Sequence, residues 1–116
     1  MVHAPESMVS IDEERTLAEQ ALKAIGVLSV LPQSRIAQDT VEILRQACRV
    51  AASADTTFSG HRGRALNRAR GEVGIALPAL IRAVEGTLTP DIIENARCAV
   101  GQWKAKLEEP ERRPRR

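Results

Sequence analysis

Five residues that can bind anions stand close together in the middle of the chain: His61, Arg62, Arg64, Arg68 and Arg70. On a helix, the arginines at 64 and 68 lie one turn apart on the same face, and the free backbone N–H groups at a helix start attract phosphate. The cluster therefore predicts a contact with nucleic acid or another polyanion. The alternative is a solvated helix face whose arginines pair with acids of a neighbouring helix.

A second basic run lies at the end of the sequence and comprises Arg112, Arg113, Arg115 and Arg116. Such a run adds a diffuse attraction to phosphates or to an acidic protein surface. A tail that only increases solubility is the alternative interpretation. These two basic segments make nucleic acid the second partner class that the sequence indicates.

Groups that could perform catalysis or hold a metal are few. The imidazoles are limited to His3 and His61, and neither Cys48 nor Ser59 stands at a spacing that favours activation by His61. The sequence has no Glu-x-x-His pair of the kind that holds two metal ions inside a helical bundle. We therefore expect no enzyme, no cofactor, no metal and no small-molecule substrate.

Several large apolar residues exceed what the core-facing stripes require. They are candidates for a protein interface, because contiguous exposed apolar surface marks binding sites, and they comprise Val27, Val30, Leu31, Ile75 and Ile81. A protein partner or a second copy of the chain would cover them.

Composition sets the class of protein. Hydrophobic residues make up 43% of the 116 residues but aromatic residues only 2%, so a core of Ala, Leu, Ile and Val in packed helices is favoured over a sheet. The net charge is +2, and most of the positive charge lies after residue 60. Because nearly all of it is arginine and alanine is abundant, we interpret the chain as bacterial.

The segment Ile25 to Leu31 is far too short for the ~20 apolar residues of a membrane span, and nothing near the start resembles a signal peptide. Cys48 and Cys98 lie far apart without a second thiol nearby, so both are expected to be reduced. We therefore expect a cytoplasmic protein that does not enter a membrane.

Three helix-terminus signals, at residues 31–34, 59–63 and 86–90, divide the chain into four stretches with helical periodicity. A capping box from Ser10 to Glu13 starts the first helix, Ser34 is placed to cap the second, and Thr89 followed by Pro90 starts the fourth. A loop from Asp55 to Gly63 is expected before the third helix. The stripes of these helices carry the residues Leu17, Ala18, Ala21, Leu22, Ile25 and Leu28; Ile36, Thr40, Ile43, Leu44, Ala47, Val50, Ala51 and Ala54; Leu66, Ala69, Val73, Leu77, Leu80 and Val84; and Ile92, Ile93, Ala96, Ala99, Val100, Trp103 and Leu107.

The predicted fold is all-α, a single antiparallel four-helix bundle over residues 10–108. We expect residues 1–9 to form a flexible arm and residues 109–116 to form a disordered basic tail. Pro78 removes a backbone hydrogen bond inside the third helix, so a kink or a break is expected near Gly74 to Leu77.

With no chemistry indicated, the sequence favours a small non-enzymatic interaction protein. We expect an adaptor, regulator or inhibitor that binds a protein partner or itself through a helical face. The alternative is a nucleic-acid accessory protein of plasmid or phage type that uses the arginines at 62–70 and the tail.

Overall fold

The fold is a bundle of four α-helices in a computed structural model that describes residues 11–53 and 60–108. The helices are α1 (Ile11–Val30), α2 (Gln38–Ser53), α3 (Gly60–Glu85) and α4 (Pro90–Glu108). They account for most of the 91% of described residues that are helical, and this part of the chain has no strand. The all-α four-helix prediction is confirmed.

The helices close into a ring. Each helix packs against its neighbours in the chain, and α1 also packs against α4. As a result, the start of α1, the first half of α3 and the end of α4 meet at one end of the bundle. None of the helices in the described residues combines the length and apolarity that a membrane span requires.

The core consists of the residue types that the composition predicts. Alanine is its commonest member, next to Leu, Ile and Val, and Trp103 is fully buried as its single aromatic among the described residues. Ile43 is half-buried and packs against this core, whereas Val73 is fully buried. The predicted stripes therefore do meet around one interior.

Capping signals in the sequence predict the starts of α1 and α4. The capping box predicted for α1 includes Ser10, which lies outside the described residues. At α4, the Ile92 N–H donates to Thr89 Oγ1 at 3.3 Å, and the Ile93 N–H donates to the Thr89 carbonyl at 3.2 Å. The predicted cap of α4 is confirmed.

The start of α2 was predicted too early. Ser34 belongs to a short 3-10 turn over Gln33–Arg35, and α2 begins only at Gln38. Two residues with extended backbone, Pro32 and Ile36, flank this turn. The link between α1 and α2 therefore runs from Leu31 to Ala37, and Ser34 does not cap α2.

A side chain in this link joins the two ends of the α3–α4 turn. Gln33 Nε2 donates to the carbonyls of Val84 and Gly86, both at 2.8 Å, and Gln33 Oε1 accepts from the Leu88 N–H at 3.4 Å. It thereby satisfies carbonyls that the end of a helix leaves without partners.

The loop before α3 ends earlier than predicted, because α3 begins at Gly60 and includes residues 60–63. Residues 54–59, the arm at 1–9 and the tail at 109–116 lie outside the described residues. Helix α3 runs across Pro78 without interruption, so the break, one of the two expected alternatives, does not occur. The fully buried Val73, Leu77 and Leu80 flank the proline, and burying three such side chains offsets the ~3 kcal/mol cost of a helical proline.

Candidate functional site

Three charged or polar side chains meet inside the bundle, where the sequence predicts only apolar contacts. Arg70 of α3 donates to both carboxylate oxygens of Glu14 in α1, from Nε at 2.7 Å and from Nη2 at 2.9 Å. Trp103 of α4 donates from its indole Nε1 to Glu14 Oε2 at 2.8 Å. We refer to Glu14, Arg70 and Trp103 as the Glu14 cluster.

The cluster is shielded from water. Glu14 and Trp103 are fully buried and Arg70 is 4% exposed. The Nη1 of Arg70 also donates to Asn67 Oδ1 at 2.8 Å, one turn earlier on the same helix. A bidentate guanidinium and an indole N–H are the strong donors that a buried carboxylate needs to offset its desolvation.

The geometry makes the cluster a connector between helices and not a reaction centre. Both Glu14 oxygens already accept hydrogen bonds, and with Glu14 fully buried no substrate reaches the carboxylate. The three side chains come from three helices that must keep their relative heights for the bonds to form. The cluster therefore fixes the register of α1, α3 and α4.

The position of Arg70 corrects the predicted anion-binding cluster of His61, Arg62, Arg64, Arg68 and Arg70. Arg70 is buried and paired with Glu14, so it is removed from the set that could contact phosphate. For this residue the alternative, pairing with an acid of α1, is the observed one. Arg64 and Arg68 are exposed, whereas the side chains of His61 and Arg62 and the four arginines of the tail lie outside the described residues.

Sequence reasoning missed the Glu14 cluster because Glu14 stands in the first turn of α1, where an acid is favoured by the helix dipole and needs no buried partner. A usable signal exists in the spacing: Glu14 stands in line with Ala18, Ala21 and Ile25 on the buried stripe. A charged residue on a core stripe requires a buried partner of opposite charge. The identity of that partner is not local, because Arg70 is 56 positions away.

The five apolar interface candidates fall into different places. Val30 is 76% exposed and Leu31 39% exposed at the end of α1, and Ile75 is 75% exposed in the middle of α3. Val27 is half-buried, and Ile81 is half-buried and packed against the core, so both expose less surface than Ile75 does. Ile75 stands ten residues before the end of α3, about 15 Å along the helix, and α1 does not flank α3 in the ring. The candidates therefore do not form one patch.

Ile75 borders a groove between α3 and α4. The lining of this α3–α4 groove is uncharged except for Glu72, and it comprises Glu72, Ile75, Ala76, Ala79, Ile92, Asn95, Cys98, Ala99 and Gln102. Charged residues make up 28% of the whole chain, so the groove is poorer in charge than the rest of the molecule. Depletion of charge around an apolar centre is typical of the middle of a protein interface.

The two thiols have different surroundings. Cys98 is exposed at the groove and donates from Sγ to Glu94 Oε2 at 3.4 Å. The guanidinium of Arg97, and then this thiol, lower the pKa of Glu94 by hydrogen bonding. Cys48 is half-buried, and its burial raises the pKa of its thiol. Nothing in this arrangement activates either sulfur as a nucleophile.

Metal ligands do not converge in residues 11–53 and 60–108, where no three His, Cys, Asp or Glu side chains come together. Several charged side chains of α4 in these ranges form local pairs, such as Arg97 with Glu94 and Lys104 with Glu108. The α3–α4 groove differs from these charged surfaces, because it holds the exposed Ile75 and a single charged residue. No family model, curated protein or solved structure matches this chain.

Proposed function

We propose that this protein is a small, non-enzymatic interaction protein that binds a protein partner or a second copy of itself through the outer face of α3 and α4. The observation that carries the proposal is Ile75, a large apolar side chain that is 75% exposed beside a groove with a single charged residue. A regulator, adaptor or inhibitor needs such a surface and no catalytic groups.

Burying an isoleucine completely contributes ~1.5–3 kcal/mol. With three quarters of its surface still exposed, Ile75 retains most of that contribution for an interface. Its small neighbours Ala76 and Ala79 leave room for a side chain or a helix ridge of the bound protein.

The test compares two apolar residues of equal exposure. Ile75→Asp should abolish association, measured by light scattering at micromolar concentration and by pulldown from a bacterial lysate. Val30→Asp is the matched control, since Val30 is 76% exposed but lies outside the groove. A wild-type protein that is strictly monomeric and retains no partner would contradict the proposal.

We further propose a bacterial, cytoplasmic location, which the two unpaired cysteines support, because thiols persist in a reducing compartment. Labelling of free thiols in intact cells of the native host, before and after lysis, would test it. Oxidised Cys48 and Cys98 in freshly lysed cells would argue against it.

Nucleic-acid binding is the second candidate function, and the exposed pair Arg64 and Arg68, one turn apart, favours it. This candidate function has one phosphate contact fewer than the sequence indicates, because Arg70 is buried in an ion pair with Glu14. Binding of this kind should weaken steeply with salt. If no mobility shift occurs at low salt with duplex or single-stranded DNA or RNA, or if a shift survives Arg64→Ala with Arg68→Ala, this candidate fails.

A further inference from the structure

The outer face of α3 carries a stripe that is complementary to itself when it is reversed. The stripe consists of Arg68, Glu72, Ile75, Ala79 and Arg82, at successive spacings of four, three, four and three residues. This spacing places all five on one face of the helix. Four of them are exposed, and Ala79 is half-buried in the α3–α4 groove.

The three charges of this stripe have no ion-pair partner in residues 11–53 and 60–108. Arg68, Glu72 and Arg82 form no salt bridge there, although each of the three arginines of α2 and α4 does, namely Arg45, Arg49 and Arg97. Glu72 and Arg82 stand ten positions apart on α3, about 15 Å, so they cannot pair with each other within one chain.

A second copy docked antiparallel would cover Ile75 and would bring Glu72 of one copy to Arg82 of the other. If the two α3 helices cross near Leu77, Ile75 of each copy lies opposite Ala79 of the other, and Glu72 lies opposite Arg82. The large side chain then meets a small one, and two identical ion pairs flank the apolar centre. Twofold symmetry repeats each of these contacts, as in other isologous interfaces.

The charges also select this register. A crossing at Ile75 would place Arg68 of one copy opposite Arg82 of the other, which brings like charges together. Shifting the crossing point to Leu77 replaces that repulsion by the Glu72 and Arg82 attraction. The stripe therefore discriminates between neighbouring alignments of the same two helices.

We propose that the occupant of the α3–α4 face is a second copy of this chain, docked antiparallel along α3 with Glu72 paired to Arg82 of the other copy. The inference rests on the proposed function, whose binding face it uses, and it names the partner. The surface is an interface between identical subunits.

Sedimentation velocity of the full chain at micromolar concentrations tests this inference through a charge swap. Glu72→Arg should raise the dimer dissociation constant about 10-fold or more, since it turns two attractions into two repulsions. Adding Arg82→Glu should restore it to within about threefold of the wild type. Glu19→Arg, an exposed substitution on α1, is the control and should change nothing.

Each remaining outcome contradicts the inference. A dimer that ignores Glu72→Arg, or a swap that does not restore affinity, refutes the proposed register. A monomer at all concentrations refutes self-association. If that monomer still captures a partner through Ile75, the proposed function stands without this inference, and if it captures none, both fail.

Discussion

Removing Arg70 from the Glu14 cluster should destabilise the bundle more than any exposed charge does. The substitution Arg70→Met keeps the apolar stem that packs in the core but deletes both guanidinium hydrogen bonds to Glu14. Glu14 is fully buried, so its carboxylate would then keep only the Trp103 indole as a donor.

The cost follows from this burial. Breaking a buried ion pair by removing one partner destabilises by ~3–5 kcal/mol, because the remaining charge stays uncompensated. A domain of this size has a free energy of unfolding of only ~5–15 kcal/mol. Since ~1 kcal/mol shifts the melting temperature of a small domain by ~4–8 °C, we expect a fall of more than ~10 °C.

Thermal and urea unfolding followed by circular dichroism measures the effect, with Arg97→Met as the control. Arg97 pairs with Glu94 on the surface of α4, so its replacement should leave the melting temperature nearly unchanged. If Arg70→Met were no more destabilising than this control, Arg70 would not be desolvated as described, and the reasoning about the cluster would be refuted.

Three smaller effects follow from other contacts. Gln33→Ala removes the side chain that joins the ends of the α3–α4 turn, and a loss of ~1 kcal/mol should appear in urea unfolding. Cys98 should react with iodoacetamide at pH 8 well before Cys48, because burial raises the pKa of the Cys48 thiol; equal rates by mass spectrometry would contradict this. Arg97→Gln should raise the pKa of Glu94 in an NMR titration, because the Arg97 guanidinium holds that pKa low. In the wild type, this ion pair stabilises the folded state above the unfolded-state pKa of the carboxyl. The stabilisation is lost as the pH falls through the folded-state pKa.

Local signals predicted the elements of this fold well. The capping pattern at Thr89 and the apolar spacing of α4 depend on neighbours within a few residues, and the structure reproduces both. The start of α2 failed because Ser34 is drawn into a 3-10 turn whose Gln33 bonds to the far end of α3, a contact 51 positions away. Capping and turn patterns cover only a few neighbouring residues, so they cannot indicate a contact with a residue this distant in the sequence.

The candidate site was less accessible to prediction for the same reason. Exposed charges and buried charges are the same residue types, so Arg70 was grouped with Arg64 and Arg68 by proximity in sequence. The bonds that distinguish Arg70 span 56 positions to Glu14, and those of Trp103 span 89. Ile75 was identified as a surface candidate because a large apolar residue beside the core stripe needs no distant partner to be recognised.

The Glu14 cluster and the outer stripe of α3 are linked through the orientation of one helix. Apolar contacts are not directional, whereas the buried ion pair of Arg70 with Glu14 forms at only one relative height of α1 and α3. A shift of α3 by one turn would carry Arg70 about 5 Å away from Glu14 and break both bonds. Because Arg70 points inward while Arg68 and Ile75 point outward, the cluster also determines which residues α3 presents to solvent.

A double variant separates the effect of the Glu14 cluster on the orientation of α3 from its effect on the free energy of unfolding. In Glu14→Leu with Arg70→Met, apolar side chains replace both charges, which is often neutral or stabilising, although the Trp103 N–H loses its acceptor at ~1–3 kcal/mol. We expect a folded protein within ~2 kcal/mol of the wild type whose association through Ile75 is weaker, because α3 is no longer held in one register. Sedimentation velocity and urea unfolding of the same sample measure the two properties. If the double variant kept the wild-type association constant, the cluster would have no role in orienting the α3 face.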